Sequence, residues 1–314
     1  MTTVSVIITC FNEGPYIGAA LRSVLEQTRA DAVCEVLIGD AGSDAETLAV
    51  LEEARGWDPR IQVYGGERVG IARNRNQLVA RASGELVAFL DGDDYWTPDK
   101  LERQLPLFDR PEVTLAYAGF SLFPDGEPEA RRDIGLRRLP DRPNLPVAFF
   151  LHDPPIVPST LIMRRSAFES LGGFDETLAV FEDTEFYLRA AEMGGFAAVD
   201  LPLLMKRERT TSITGGRTAE LMAYHAFVAF QFAARRPEAA PLINRRLSER
   251  AAKLGNVSYR RGALSEARRY YRLASALRPL NPAPRLGWLL ARLGDGPVRR
   301  LVLKAVGWDR SEGR

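Results

Sequence analysis

The 314-residue chain reads as an α/β fold, a mostly parallel sheet flanked by helices, followed by an all-helical extension. Three observations predict it. Apolar, β-rich runs alternate with segments of helical period through the first ninety residues. Two of those runs stop abruptly at acids, Asp40 and Asp91, as strands do at the ligand-binding edge of a parallel sheet. Beyond about Gly216 only helical spacing remains, so we expect residues 1–215 to form one domain and 216–314 another.

Taken in order, Val4–Thr9 is an apolar strand suited to burial on both faces. Gly14–Thr28 switches to helical spacing through Ile17, Leu21, Val24 and Leu25, with Pro15 fit for a first turn. Glu35–Gly39 is the next strand, and Ser43-Asp44-Ala45-Glu46 reads as a capping box opening the second helix. Ile61–Tyr64, Ile71–Ala82 and Leu86–Leu90 continue the alternation, so three βα units in succession imply right-handed parallel crossovers. Thr97-Pro98-Asp99 caps a helix reaching about Phe108, and Val113–Phe123 is a further strand. Pro124–Pro146, rich in Pro, Arg and Asp, has no period and reads as a long loop over the active face. Strand and helix signals resume at Ser159–Arg164 and Ser166–Leu171, and Phe181–Met193 is an amphipathic helix.

In the extension, Leu254, Gly255, Gly262, Ala267, Tyr271, Ala274 and Pro279 fall at the spacings of one tetratricopeptide-like helix pair, about residues 250–281. A single copy cannot bury its own face and must pack on neighbouring helices. Val298–Trp308 carries an apolar stripe among Arg299, Arg300 and Lys304, which suits either a packed C-terminal helix or a peripheral contact with a membrane surface.

A net charge of +1 supplies no field for nucleic acid, although Arg dominates the chain after Arg235. No apolar run approaches the ~20 residues that span a bilayer. The first residues lack the basic region of a signal peptide, so we expect a cytoplasmic protein, with the inner face of the plasma membrane as its one peripheral location. Cys10 and Cys34 fall at opposite ends of neighbouring strands, too far apart for a disulfide, and both read as core thiols.

Chemistry concentrates in three places. Phe89-Leu90-Asp91-Gly92-Asp93-Asp94 puts three acids directly after a buried strand, where they repel unless a divalent cation or donors compensate. Mg²⁺ or Mn²⁺, held by one or two carboxylates plus substrate phosphates, suits such a site. Gly39-Asp40-Ala41-Gly42-Ser43-Asp44 is either a helix-capping turn or a second acid in the same crevice, and the acid cluster beside it favours the site. Phe181-Glu182-Asp183-Thr184-Glu185 begins a helix, where acids favour the dipole, yet it also offers a general base in a chain with only two histidines.

With those residues in view, the chain resembles the family 2 glycosyltransferases of the GT-A fold, from Val4 to about Thr214. The resemblance rests on Val4 to Glu13, Asp40-Ala41-Gly42-Ser43-Asp44, Gly70-Ile71-Ala72-Arg73-Asn74, the DxD-type run ending at Asp94, and Gly172-Gly173-Phe174-Asp175-Glu176 followed by Glu182-Asp183. It implies that Thr9, Phe11 and Glu13 line a nucleotide pocket, that Asp40 bonds the base, and that Arg73 lies near the diphosphate. It further implies that Asp91 contacts the ribose or the metal's water shell, that Asp93 binds Mn²⁺ or Mg²⁺, and that Asp183 is the base with Glu182 on the acceptor side. The implied reaction is inverting transfer of one sugar from a nucleoside-diphosphate sugar to a saccharide or lipid-linked saccharide, in cell-surface polysaccharide or glycolipid synthesis. UDP is favoured because a short acidic contact suits a uracil imide, which dTDP also offers.

Two departures from the family pattern stand out. A His that often precedes the Ser-hydrophobic-Thr tripeptide is absent, and Arg209 precedes Ser212-Ile213-Thr214 instead. Arg209 cannot ligate a metal, so the expectation is either weaker metal binding or direct contact of Arg209 with the diphosphate. No QxxRW-like motif occurs, which argues against a processive synthase. The contrasting expectation is a non-catalytic nucleotide-sugar-binding or scaffold protein acting through its helical extension.

Overall fold

The computed structural model describes residues 2–136, 145–152, 156–209 and 218–292. The chain forms two compact units, Met1–Gly215 and Gly216–Arg314.

The first unit is built on β1 (Val4–Cys10), buried at every position. Helix α1 (Gly14–Leu25) follows, with Pro15 in its first turn and Ile17, Leu21 and Val24 turned inward. Strand β2 (Val33–Asp40) lies parallel to β1, with Thr9 opposite Gly39. Helix α2 (Ala45–Ala54) is capped by Asp44, whose carboxylate accepts from the Thr47 N–H at 2.9 Å. The expected cap, Ser43, is drawn away: its hydroxyl accepts from the Asn12 N–H at 2.9 Å. Asn12, in the left-handed region at φ 54°, also takes the Asp44 N–H on its Oδ1, so the loops after β1 and β2 are latched together.

Strand β3 (Ile61–Gly65) and helix α3 (Ile71–Val79) come next, then β4 (Leu86–Asp91), parallel to β1 on its other side with Thr9 opposite Asp91. The two-residue β5 (Tyr95–Trp96) and short α4 (Lys100–Gln104) lead to β6 (Leu115–Pro124). The expected loop after β6 contains β7 (Arg132–Ile134), a hairpin partner of β6, and then α5 (Leu145–His152). Its residues 137–144 lie outside the described ones. A 3₁₀ turn at Pro158–Thr160 precedes β8 (Ile162–Arg164), α6 (Arg165–Ser170) and α7 (Glu182–Met193). The unit closes with β9 (Phe196–Glu208), a long strand that the sequence reading lacks.

The sheet order is β3-β2-β1-β4-β8-β6-β9-β5, with β7 on β6. Parallel pairing holds from β3 to β4 and again between β6 and β9, while β8, β7 and β5 pair antiparallel. The sheet is therefore mixed, and the mostly parallel expectation describes its first half. Val6, Ile8, Ile38, Leu90, Trp96 and Leu101 belong to one core cluster. On the opposite side of β4, Phe89 meets Phe174 edge-on at 5.7 Å, and Phe174 lies 4.6 Å from Phe186 of α7. These rings seat the start of α7 beside the end of β4. Cys10 is buried as expected, but Cys34 is exposed, its thiol donating to the Val4 carbonyl at 3.3 Å.

The second unit is helical throughout its described residues: α8 (Thr218–Arg235), α9 (Ile243–Arg260), α10 (Leu264–Leu277) and α11 (Pro282–Arg292). Gly255 of α9 and Gly287 of α11 both face the ring of Tyr271 on α10, where an added Cβ would sit 2.8 Å and 2.7 Å from ring atoms. Small residues thus let three helices close on one aromatic side chain. The stripe at 298–308 lies outside the described residues.

Candidate active site

Because β1, β2 and β4 run parallel and in register, their carboxyl ends bring Thr9, Asp40 and Asp91 to one edge. Asp40 is 3% exposed and folds over its own turn, accepting from the N–H groups of Gly42 at 3.3 Å and Ser43 at 3.1 Å. It also borders a groove of about 290 Å³, shared with Tyr64, Asn74, Leu78 and Arg81. Asn74 holds α3 against β2 by donating to the Gly39 carbonyl at 2.8 Å. Phe11 is partly exposed, with the Arg68 guanidinium 4.8 Å from its ring centre.

Arg73 lies on the exposed side of α3. Two residues on, and so turned to a different face, Arg75 is 2% exposed. One guanidinium nitrogen donates to Asp91 Oδ1 at 2.7 Å and another to Glu182 Oε1 at 2.9 Å. The same group lies 5.5 Å from the Phe174 ring centre. Arg75 therefore joins the end of β4 to the first turn of α7. Its guanidinium holds Asp91 below the usual carboxylate range against the opposing effect of burial. Burial and neighbouring Asp183 push Glu182 up to about 7, with Arg75 opposing. Asp183 follows directly and accepts from the Thr184 N–H at 2.6 Å. Tyr187, one turn along α7, buries its hydroxyl without a hydrogen-bond partner, and its pKa is raised by burial and by the charge of Asp183.

The other acids meet cations from the end of β9 and from Arg209 just beyond it. Asp94 is buried and accepts from Lys206 Nζ at 3.2 Å, Ser159 Oγ at 3.2 Å and the Arg207 N–H at 2.9 Å. Burial still pushes it up to about 7. Ser159 Oγ in turn accepts from the Asp91 N–H at 3.0 Å, so one hydroxyl fixes both ends of the acidic turn. Arg209 lies 3.3 Å from Asp93 and 3.6 Å from Glu13, its guanidinium 5.0 Å from the Tyr16 ring centre. Glu13 Oε2 is buried without a hydrogen-bond partner, packed so close to Gly92 that a Cβ there would lie 2.3 Å away. Burial and the charges of Asp93 and Asp91 push Glu13 up to about 9, with Arg209 opposing. Among the described residues no group of three or more His, Cys, Asp or Glu is placed to hold a metal ion.

Nine sequence-predicted residues thus surround one edge of the sheet, and Arg73 stands apart on the exposed face of its helix. Arg75, Ser159, Tyr187 and Lys206 were not anticipated. For Arg75 a signal existed: with Ala72 and Val79 it forms the buried i, i+3, i+7 stripe of α3, and a cation there demands carboxylate partners. Ser212-Ile213-Thr214 lies outside the described residues.

Comparison with known proteins bears on this arrangement. Residues 5–172 match the family described as Glycosyl transferase family 2. TuaG of Bacillus subtilis (strain 168), a glycosyltransferase assigned to teichuronic acid biosynthesis, is 39% identical over 127 residues, 40% of this chain and 50% of its own. WfgD of Escherichia coli, named as a UDP-Glc:alpha-D-GlcNAc-diphosphoundecaprenol beta-1,3-glucosyltransferase, is 36% identical over 121 residues, 38% of this chain and 46% of its own. The match thus spans about half the length of these two relatives. Among solved structures, TarS 1-349 of S. aureus superposes with a TM-score of 0.61 at 18% identity, over 92% of this chain and 90% of that one. The mannosyltransferase PcManGT of Pyrobaculum calidifontis, solved with GDP-Man and Mn2+, gives 0.57 at 22% identity, over 96% and 83%. At these identities both likenesses are of fold.

Proposed function

This chain belongs to glycosyl transferase family 2, and on that footing we propose that it moves a single sugar, with inversion, from a UDP-sugar to an acceptor hydroxyl during cell-surface polysaccharide or glycolipid synthesis. The observation that carries this reading is the buried Arg75, which holds Asp91 and Glu182 together and so sets the donor-side acid next to the acceptor-side pair Glu182–Asp183. The name of WfgD, which specifies a UDP-Glc donor and an alpha-D-GlcNAc-diphosphoundecaprenol acceptor, supports the donor and acceptor classes.

In this reading the nucleoside occupies the groove beside Asp40, and Thr9 and Phe11, at and just beyond the neighbouring end of β1, contact it from that side. Asp183 takes the proton of the attacking hydroxyl, and Glu182 orients the acceptor. Arg209 contributes a permanently charged guanidinium to the donor diphosphate. Arg73, on the exposed face of α3, serves the same diphosphate only when a donor reaches that face.

The oxygen-only pair Asp93 and Glu13 fits a hard divalent cation that completes its shell with donor phosphates and water, since Glu13 Oε2 is buried and unsatisfied. Asp91, committed to Arg75, would act on that cation through its water shell. A bound Mn²⁺ or Mg²⁺ supplies neutralisation of the charge that develops on the departing diphosphate. Among the described residues no helix is long and apolar enough to cross a membrane.

The test is transfer and hydrolysis from a panel of UDP-, dTDP- and GDP-sugars, with and without Mn²⁺, by the parent chain and Asp183→Asn. We expect turnover of a UDP-sugar that falls roughly 10²-fold or more in Asp183→Asn while donor affinity holds. Near-parental turnover by Asp183→Asn moves the base elsewhere, and turnover of no nucleotide sugar overturns the reading.

A further inference from the structure

The net charge of +1 conceals an uneven distribution. Residues 1–215 carry 22 Lys and Arg against 34 Asp and Glu, whereas residues 216–314 carry 20 against 7. Among the described residues, Glu249 pairs with Arg245 at 3.1 Å, Glu238 with Arg236 at 2.9 Å, and Glu266 accepts from the Ser258 hydroxyl at 2.9 Å. The excess is therefore cationic.

Where the cations emerge is ordered. On α10, Arg269, Arg272 and Leu273 share one exposed face at i, i+3 and i+4. On α11, Arg285, Leu289 and Arg292 repeat the arrangement at i, i+4 and i+7. On α9, Lys253, Val257 and Arg260 do so again. Each exposed stripe thus sets an aliphatic residue one turn from basic ones. Leu280, in the turn between α10 and α11, is 99% exposed, and Phe230 on α8 is 58% exposed.

We propose that the helical unit docks this protein on an anionic phospholipid surface through the basic–aliphatic stripes of α9, α10 and α11. The charge alone would suit any polyanion. The aliphatic residues within the stripes favour a bilayer, because only an interface offers phosphates for the guanidinium groups and acyl chains for Leu273, Leu280 and Leu289 in one place. A soluble polyanion leaves those side chains in water. The inference does not depend on the proposed chemistry, since lipid binding and sugar transfer are read out separately.

The experiment is vesicle flotation of the full chain with phosphatidylcholine alone and with phosphatidylcholine containing phosphatidylglycerol, with dextran sulfate as a soluble competitor. We expect binding to the anionic vesicles only, weakening steeply as NaCl rises from about 50 to about 500 mM because screening shortens the reach of surface charge. The quadruple variant Arg269→Glu, Arg272→Glu, Arg285→Glu, Arg292→Glu should bind at least about tenfold more weakly. Leu280→Asp, at a position too exposed to affect folding, should weaken vesicle binding several-fold and leave dextran sulfate binding unchanged. Equal binding to both vesicle types overturns the proposal, as does parental binding by the quadruple variant. If helicity measured by circular dichroism shows that the quadruple variant is unfolded, Leu280→Asp and the salt series decide. Parental vesicle binding by Leu280→Asp, or vesicle binding indifferent to salt, then overturns it.

Discussion

Arg75 is the residue on which the site turns, because one guanidinium satisfies two acids that are remote in sequence and would otherwise face each other. Removing one partner of a buried charge group costs about 3–5 kcal/mol, mostly through the charges left behind. Arg75→Gln should therefore lower the melting temperature by many degrees, and adding Glu182→Gln should recover part of the loss. Strict additivity of the two changes in thermal melts would show that Arg75 does not hold the pair. Glu13 makes a second residue-scale prediction. Its folded carboxyl is pushed up to about 9, so the folded chain keeps a proton that the unfolded chain loses near pH 4. That stabilisation is complete at acid pH and disappears as pH rises through about 9, with Asp94 and Glu182 contributing the same sign up to about 7. The donor-free protein should lose thermal stability between pH 7 and 9, and Glu13→Gln should flatten that limb, which a series of melts across pH would test.

At the scale of elements, the seam between β2 and α3 sets the groove proposed for the nucleotide. A Cβ on Gly39 would lie 1.9 Å from Asn74 Oδ1, and Asn74 is the buried side chain whose amide ties the helix to that strand. Gly39→Ala should cost about 1–3 kcal/mol through overpacking and weaken UDP binding together with stability. Calorimetry showing parental affinity and parental melting would refute the claim that this seam shapes the groove. The elements that were legible in the sequence share a cause: β1, β2 and β4 are continuous apolar runs that need no partner to be recognised. Strand β9 was not legible. Asp200 and Pro202 interrupt its pattern, and both are accommodated because the pairing with β6 is irregular between Ala118 and Ser121. The site divides the same way. Acids after apolar strands announce themselves, whereas Lys206 acquires meaning from Asp94, 112 positions away, and the buried stripe that marks Arg75 does not name Glu182, 107 positions away, as its partner.

At the scale of the molecule, each unit has its own core, one centred on the sheet and the other on Tyr271 with Ala267, Leu290 and Ala291. Heating should therefore produce two calorimetric transitions, of which UDP raises only that of residues 1–215. Gly255→Leu, which drives a side chain into the Tyr271 ring, should depress the other transition alone. A single transition moved by both changes would show that the units unfold together. The order of strands also has a mechanical meaning. Strand β9 is the last element of the first unit, and Lys206 near its end and Arg209 just beyond it supply the cations that hold Asp94 and Asp93. Among the described residues β6 pairs along one flank of β9, and on the other flank only the two-residue β5 does. Tension applied to the C-terminal end of β9 peels that strand before it reaches the far half of the sheet. The acidic turn would lose its cations while β1, β2 and β3, on the far side of the sheet, still held the groove beside Asp40 intact.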